Sequence, residues 1–257
     1  MAAESSVAVV LKTIEFSETS LIVTLFTRDF GQVTAIAKGA RRPKSSFEGS
    51  LDLLAVCRVV LIRKASDALD LLTEAKLNRR FRGADKSLTR LHGGYYLAEM
   101  LRLLTETHDP EPMLYDLTLD ALSQIDGTGN AALALLGFDA IALRLLGHTP
   151  TTRTCADCGV ATQLDRSVPF SPAAGGVVCG SCRISQPSVF IVRPKTLQCL
   201  ERLLDNQTRL PLATASANKI DANYRDVRVL LNRYIEVILG KTPRMQSFLP
   251  ARMEPSE

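Results

Sequence analysis

The sequence predicts an α+β chain: a small five-stranded barrel, then a helical part with a cysteine-bearing module set into it. Three observations carry this reading. Apolar residues recur with period two up to about residue 80, and with helical period beyond it; four paired cysteines then interrupt the helical pattern. At 257 residues the chain exceeds the roughly 100–200 of a typical domain, so two units are expected, residues 1–80 and residues 81–257.

Val7, Val9 and Leu11 form the first one-face set, followed by Leu21, Val23 and Leu25, and then by Val33, Ala35 and Ala37. Val56 to Arg63 and Leu69 to Leu77 read as a fourth and a fifth strand, separated by a turn at Ser66 and Asp67. Five short strands in about 75 residues suit an oligonucleotide-binding (OB) barrel. From Ser87 the spacing of Leu97, Met100, Leu101 and Leu104 is helical. Met113–Ile125 and Ala131–Leu146 continue as helices, bounded by Asp109-Pro110, Asp126-Gly127, Gly147 and Pro150. An irregular segment is expected over residues 151–186. Pro194 then opens a short helix to Asp205, and Val227, Leu230, Leu231, Tyr234, Ile235 and Ile238 mark one face of a longer one. The tail after Gly240 is expected to be irregular.

With 46% hydrophobic and 23% charged residues, the composition excludes disordered and fibrous classes. No apolar run reaches the ~20 residues of a membrane span. The N-terminus carries Glu4 and no basic segment ahead of its alternating apolar run, so a secretory signal is not expected and the chain reads as cytoplasmic. The net charge of +4 is unevenly placed: from Arg28 to Lys64 eight cations face three anions. Lys38, Arg41, Arg42 and Lys44 fall within seven residues, with Gly39 and Pro43 between them and no acid from Gly31 to Phe47. Such a loop is either a solvated turn or a phosphate-binding surface, because Lys and Arg neutralise nucleic-acid backbone whatever the base sequence. Phe16, Phe26, Phe30 and Phe47 are the aromatics of this region, each open to a core or a base-stacking role.

Cys155, Cys158, Cys179 and Cys182 form two C-x2-C pairs separated by twenty residues, the spacing of a two-knuckle structural zinc site. Two disulfides or free thiols are the alternatives, and a reducing cytoplasm disfavours the first. Gly159, Gly175, Gly176 and Gly180 offer the tight backbone that knuckles need. Four thiolates close a tetrahedral shell, so the metal is assigned a folding role. Cys57 and Cys199 fall in apolar patterns and read as core residues. His92, His108 and His148 are scattered, and no nucleophile elbow, Walker loop or dinucleotide fingerprint accompanies them. The chain is therefore not read as an enzyme.

Along most of its length the sequence resembles the bacterial RecO family of recombination-mediator and DNA-annealing proteins. Phe16–Phe47 looks like the family's first barrel strands and basic loop, and Gly93–Glu106 like the first helix of its second domain. Asp139–Gly159 with Pro172–Cys182 resembles its metal site, and Tyr234–Leu249 its C-terminal signature. The resemblance implies an N-terminal OB-fold barrel and a helical domain carrying one structural zinc ion. It also implies binding to single- and double-stranded DNA, strand annealing, and work with RecR and single-stranded DNA-binding protein to load RecA, in the cytoplasm and at the nucleoid. Carried over by position, the DNA-binding residues are Lys38, Arg41, Arg42 and Lys44, with Arg63 and Lys64 added on charge, and the metal ligands are the four paired cysteines. Two other readings compete. NAD-dependent protein deacylases carry similarly spaced cysteine pairs but need a glycine-rich nucleotide loop and a catalytic histidine segment that are absent here. A zinc-stabilised interaction scaffold would leave the basic loop incidental, and DNA binding separates it from the first reading.

Overall fold

The computed structural model describes residues 3–47, 49–64, 69–163, 165–205 and 223–250. The expected turn at Ser66 and Asp67 lies outside them. By its internal contacts the chain forms two compact units, Met1–Leu122 and Ser123–Glu257.

The first unit is built on a closed barrel of β1 (Ala3–Glu15), β2 (Leu21–Thr27), β3 (Gly31–Ala37), β4 (Val56–Ile62) and β5 (Asp70–Arg79), in the order β1-β2-β3-β5-β4. All neighbours are antiparallel except β3 and β5, which run parallel over Ala35–Ala37. One long strand serves two partners: the first half of β1 pairs with β4 and the second with β2, and an irregularity between Val10 and Lys12 turns it from one to the other. The alternation was legible, but its inward face was not. Ala8 and Val10 point into the barrel core beside Val23, Val33, Val59 and Leu72, whereas Val9 and Leu11 are buried outside that cluster, on a strand that α1 (Leu88–Leu104) packs against. A strand covered on both faces leaves no polar side to orient it. α1 starts at an N-cap in which Ser87 Oγ accepts from the Arg90 amide. α2 (Pro112–Asp126) sets Tyr115 against Phe26, ring centroids 5.9 Å apart, and Asp116 against Arg28.

The second unit centres on α3 (Ala131–Leu145), whose residues from Ala131 to Leu143 are all buried. α4 (Pro194–Asp205) and α5 (Tyr224–Leu239) pack on it, and Asp139 of α3 pairs with Arg228 of α5 at 2.5 Å, both buried. α5 ends where Gly240 takes a left-handed conformation. Between α3 and α4 the segment expected to be irregular holds a small antiparallel sheet, with β6 (Val168–Ser171) at its centre between β7 (Gly176–Val177) and β8 (Phe190–Val192). Strands of two to four residues are too short for a periodic signal, so only the tertiary fold reveals them. Phe170 of β6 stacks on Phe190 and meets the Tyr234 ring of α5 edge-on at 6.0 Å. The tail after Gly240 continues into a 3-10 turn over Arg244–Phe248. No helix among the described residues is long and apolar enough to cross a membrane.

Candidate metal centre and nucleic-acid interface

The four cysteines converge, their Sγ atoms lying within 4.8 Å of one another. Cys158 Sγ and Cys179 Sγ are 3.9 Å apart, close to the ~3.8 Å edge of a tetrahedron of thiolates bonded to zinc at ~2.3 Å. All six cysteines are free. Each knuckle is a tight turn: Gly159 donates its amide to Cys155 O at 2.9 Å, and Arg183 to Cys179 O at 3.0 Å. The Cys179 amide points at Cys155 Sγ and the Cys182 amide at Cys179 Sγ, the contacts that steady a thiolate. Burial pushes the Cys155 thiol up, but the amides of Cys158, Cys179 and Asp157 outweigh it and hold it down to about 6. The Cys182 amide and thiol lower Cys179, while the thiols of Cys179 and Cys158 raise Cys182. A divalent cation held by all four sulfurs would displace the protons they carry. The donor set fits a thiolate-loving metal with a closed shell.

Two further features lock the centre in place. Gly176 passes so close to Thr151 that a Cβ there would lie 2.1 Å from Thr151 Oγ1, and the Thr151 and Val177 amides bond across this contact. Gly180, by contrast, sits in open space with an ordinary φ, so its place in the knuckle does not require glycine. Arg153 reaches α4 as a fork, donating to both oxygens of Glu201 at 2.9 and 3.0 Å, while Thr152 donates to the same carboxylate.

The cations divide into two groups. Lys38, Arg41, Arg42 and Lys44 are all exposed on the connection that leaves β3. Successive turns shape it: the Arg42 amide donates to Gly39 O, the Ser45 amide to Arg42 O, and Lys44 adopts a left-handed φ of 60°. Arg41 is tied to the β1–β2 turn. Its amide donates to Thr19 O at 3.0 Å, its Nη1 to Ser17 O at 3.2 Å, and its Nη2 pairs with Glu15 at 3.1 Å. Among the described residues Lys38, Arg42 and Lys44 form no ion pair.

Arg63 and Lys64 do not join them. The Arg63 guanidinium lies over the ring of Phe30, which precedes β3, whereas Lys38 follows β3, so a strand of about 20 Å separates the two places. Arg63 pairs with the buried Asp70 at 3.0 Å and donates to His108 Nδ1 at 2.8 Å, which makes that ring nitrogen an acceptor. A buried carboxylate demands such a partner, and the sequence showed only the charge. The Lys64 amide donates to Asp70 as well, while its side chain is exposed. The sheet also sets Arg58 directly opposite Lys76 on the outer face of β4 and β5, both exposed. Like charges opposed across strands repel, an arrangement suited to an anionic ligand. The only sequence signal was a cation at an outward position of each strand.

The aromatics and remaining cysteines sort by burial. Phe26 and Phe47 are core, Phe30 packs against the barrel core beneath Arg63, and Phe16 alone of the four is exposed. Cys57 is buried in the barrel core and its thiol is pushed up to about 11, by burial first and by Asp52 second. Cys199 is buried in α4.

Comparison with known proteins agrees with this architecture. The family model described as "Recombination protein O N terminal" matches residues 1–81, and "Recombination protein O C terminal" matches residues 86–247. A DNA repair protein RecO from Rhodopirellula baltica is 51% identical over 96% of this chain and 99% of its own length. RecO proteins of Anaeromyxobacter dehalogenans and Myxococcus xanthus are 32% and 30% identical, each over 94% of this chain and over 93% and 95% of their own lengths. With both family models matched and a relative this similar over nearly its whole length, the chain belongs to the RecO family of recombination and DNA repair proteins.

Proposed function

We propose that this chain binds single- and double-stranded DNA through its barrel, residues 1–80, and anneals complementary strands. Together with RecR it helps to load RecA recombinase on DNA coated with single-stranded DNA-binding protein. One observation carries the reading: four cations crowd one connection of the barrel, and three of them have no ion-pair partner among the described residues. Unpaired Lys and Arg neutralise phosphates and release counterions, which screens the repulsion between two strands while their bases pair. No bond is made or broken, so no catalytic group is required. Lys64 offers a second DNA contact at the other end of β3, and Arg63 a weaker one there because Asp70 already balances its charge. In the helical part, residues 81–257, the four thiolates hold one zinc ion whose role is to fold the cysteine module. The protein works in the cytoplasm, at the nucleoid.

The test is annealing of two complementary oligonucleotides by purified protein, without nucleotide, at low and moderate salt. Four phosphate contacts on a single strand give a log–log salt slope of about −3. Arg41→Glu with Arg42→Glu is expected to reduce that slope by about 1.4 and to weaken binding to unrelated sequences alike. Arg42→Glu alone separates the charge effect from the turn contacts of Arg41. Normal affinity in the double variant, with circular dichroism unchanged, would refute the site.

A further inference from the structure

We propose that Phe16 is a base-stacking residue of this DNA site, an inference that rests on the nucleic-acid reading of the basic connection. Phe16 is 59% exposed on the turn between β1 and β2. A single exposed phenylalanine means little by itself. Here, however, the backbone beneath it is fixed to the cations. The Phe16 amide donates to Ser20 O at 3.1 Å, and Ser17 Oγ accepts from the Ser20 amide at 3.2 Å, which closes the turn. Arg41 then grips both neighbours of Phe16 with one guanidinium, Glu15 on one side and the Ser17 carbonyl on the other, while its amide holds Thr19. The ring is therefore presented from a stiff turn that is fastened directly to the phosphate-binding connection.

The other three aromatics of the region cannot take this role. Phe26 and Phe47 are 0% and 5% exposed, and Arg63 covers Phe30. Cations that fix the sugar–phosphate backbone beside one open ring are the two halves of a sequence-tolerant single-strand site, because every base has a face to stack. The ligand class is unpaired nucleic acid with bases present, and the contact adds no sequence preference.

The experiment measures binding of the full-length protein to a mixed-sequence single strand and to an abasic strand of equal length. Phe16→Ala is expected to weaken binding to the base-bearing strand about 5- to 150-fold. Affinity for the abasic strand and the salt slope should stay unchanged, because no charge is lost. The chain contains no tryptophan, so Phe16→Trp supplies a single reporter whose fluorescence should be quenched by the base-bearing strand and not by the abasic one. Equal binding of wild type and Phe16→Ala to the base-bearing strand would overturn the proposal, as would equal losses on both strands. Wild-type protein that binds neither strand would instead overturn the DNA reading on which it rests.

Discussion

The barrel and the cysteine module solve the same problem by different means. The barrel closes five strands around an apolar cluster in which Val23, Leu25, Val33, Val59, Leu61 and Leu72 are at most 1% exposed. Burial at about 25 cal/mol per Å² of apolar surface is sufficient for such a core to hold itself. The module has strands of four, two and three residues, and of its four cysteines only Cys155 is buried. So small a sheet offers little apolar surface, whereas four thiols converge within 4.8 Å as a set that could hold a metal ion. The comparison teaches that one chain can give one region an enclosed apolar core and another a set of converging thiols with little apolar surface around it. The two should therefore respond to different perturbations.

The largest expected effect is metal removal. Structural zinc in small domains contributes on the order of 10–16 kcal/mol of folding free energy, so a strong chelator or Cys155→Ser should unfold the module and leave the barrel's own transition in place. Metal analysis by mass spectrometry should find one zinc per chain, and calorimetry with and without chelator should separate the two transitions. Metal-free protein with both transitions intact would break the comparison.

Next in size is the reverse experiment. Leu61→Ala removes a fully buried barrel side chain and should cost about 2–5 kcal/mol in denaturant unfolding while the zinc content stays at one per chain. Loss of metal from this variant would mean that the two regions are not energetically distinct.

The smallest effect sharpens the module side. The hydrogen bond from Arg153 holds the Glu201 carboxyl below its ordinary value, against the opposing effect of burial. A carboxylate lowered in the folded state contributes stability above its unfolded pKa of about 4.3 and loses it as pH falls through the lower folded value. Glu201→Gln should therefore lower the module's stability slightly at neutral pH and flatten its acid limb below about pH 4.3, where the two proteins converge. Titration of the melting temperature between pH 3 and pH 7 reads the difference, and an identical acid limb would remove Arg153–Glu201 from the account.

Much of this molecule is legible in its sequence because much of it is periodic or exactly spaced. Alternation marks the five strands, Asp126-Gly127 and Gly147 bracket α3, and two C-x2-C pairs single out the four cysteines that the fold brings together. Other parts depend on residues remote in sequence. Asp70 decides whether Arg63 is an open cation or a satisfied one, and covering of both faces of β1 decides that Ala8 and Val10, not Val9 and Leu11, line the barrel core.

By itself, then, the sequence determined the class of each region, since hydrophobic period and thiol spacing are local properties of the chain. The tertiary structure alone decided which charges remain open and which aromatic meets water. Pairing of β3 with β2 and β5 sets the basic connection at one end of the strand and leaves Arg63 by Phe30, before its start. Arg41 then joins that connection to the turn carrying Phe16. Such facts are set by neighbours that the fold brings together across tens of residues, and neither composition nor spacing encodes them.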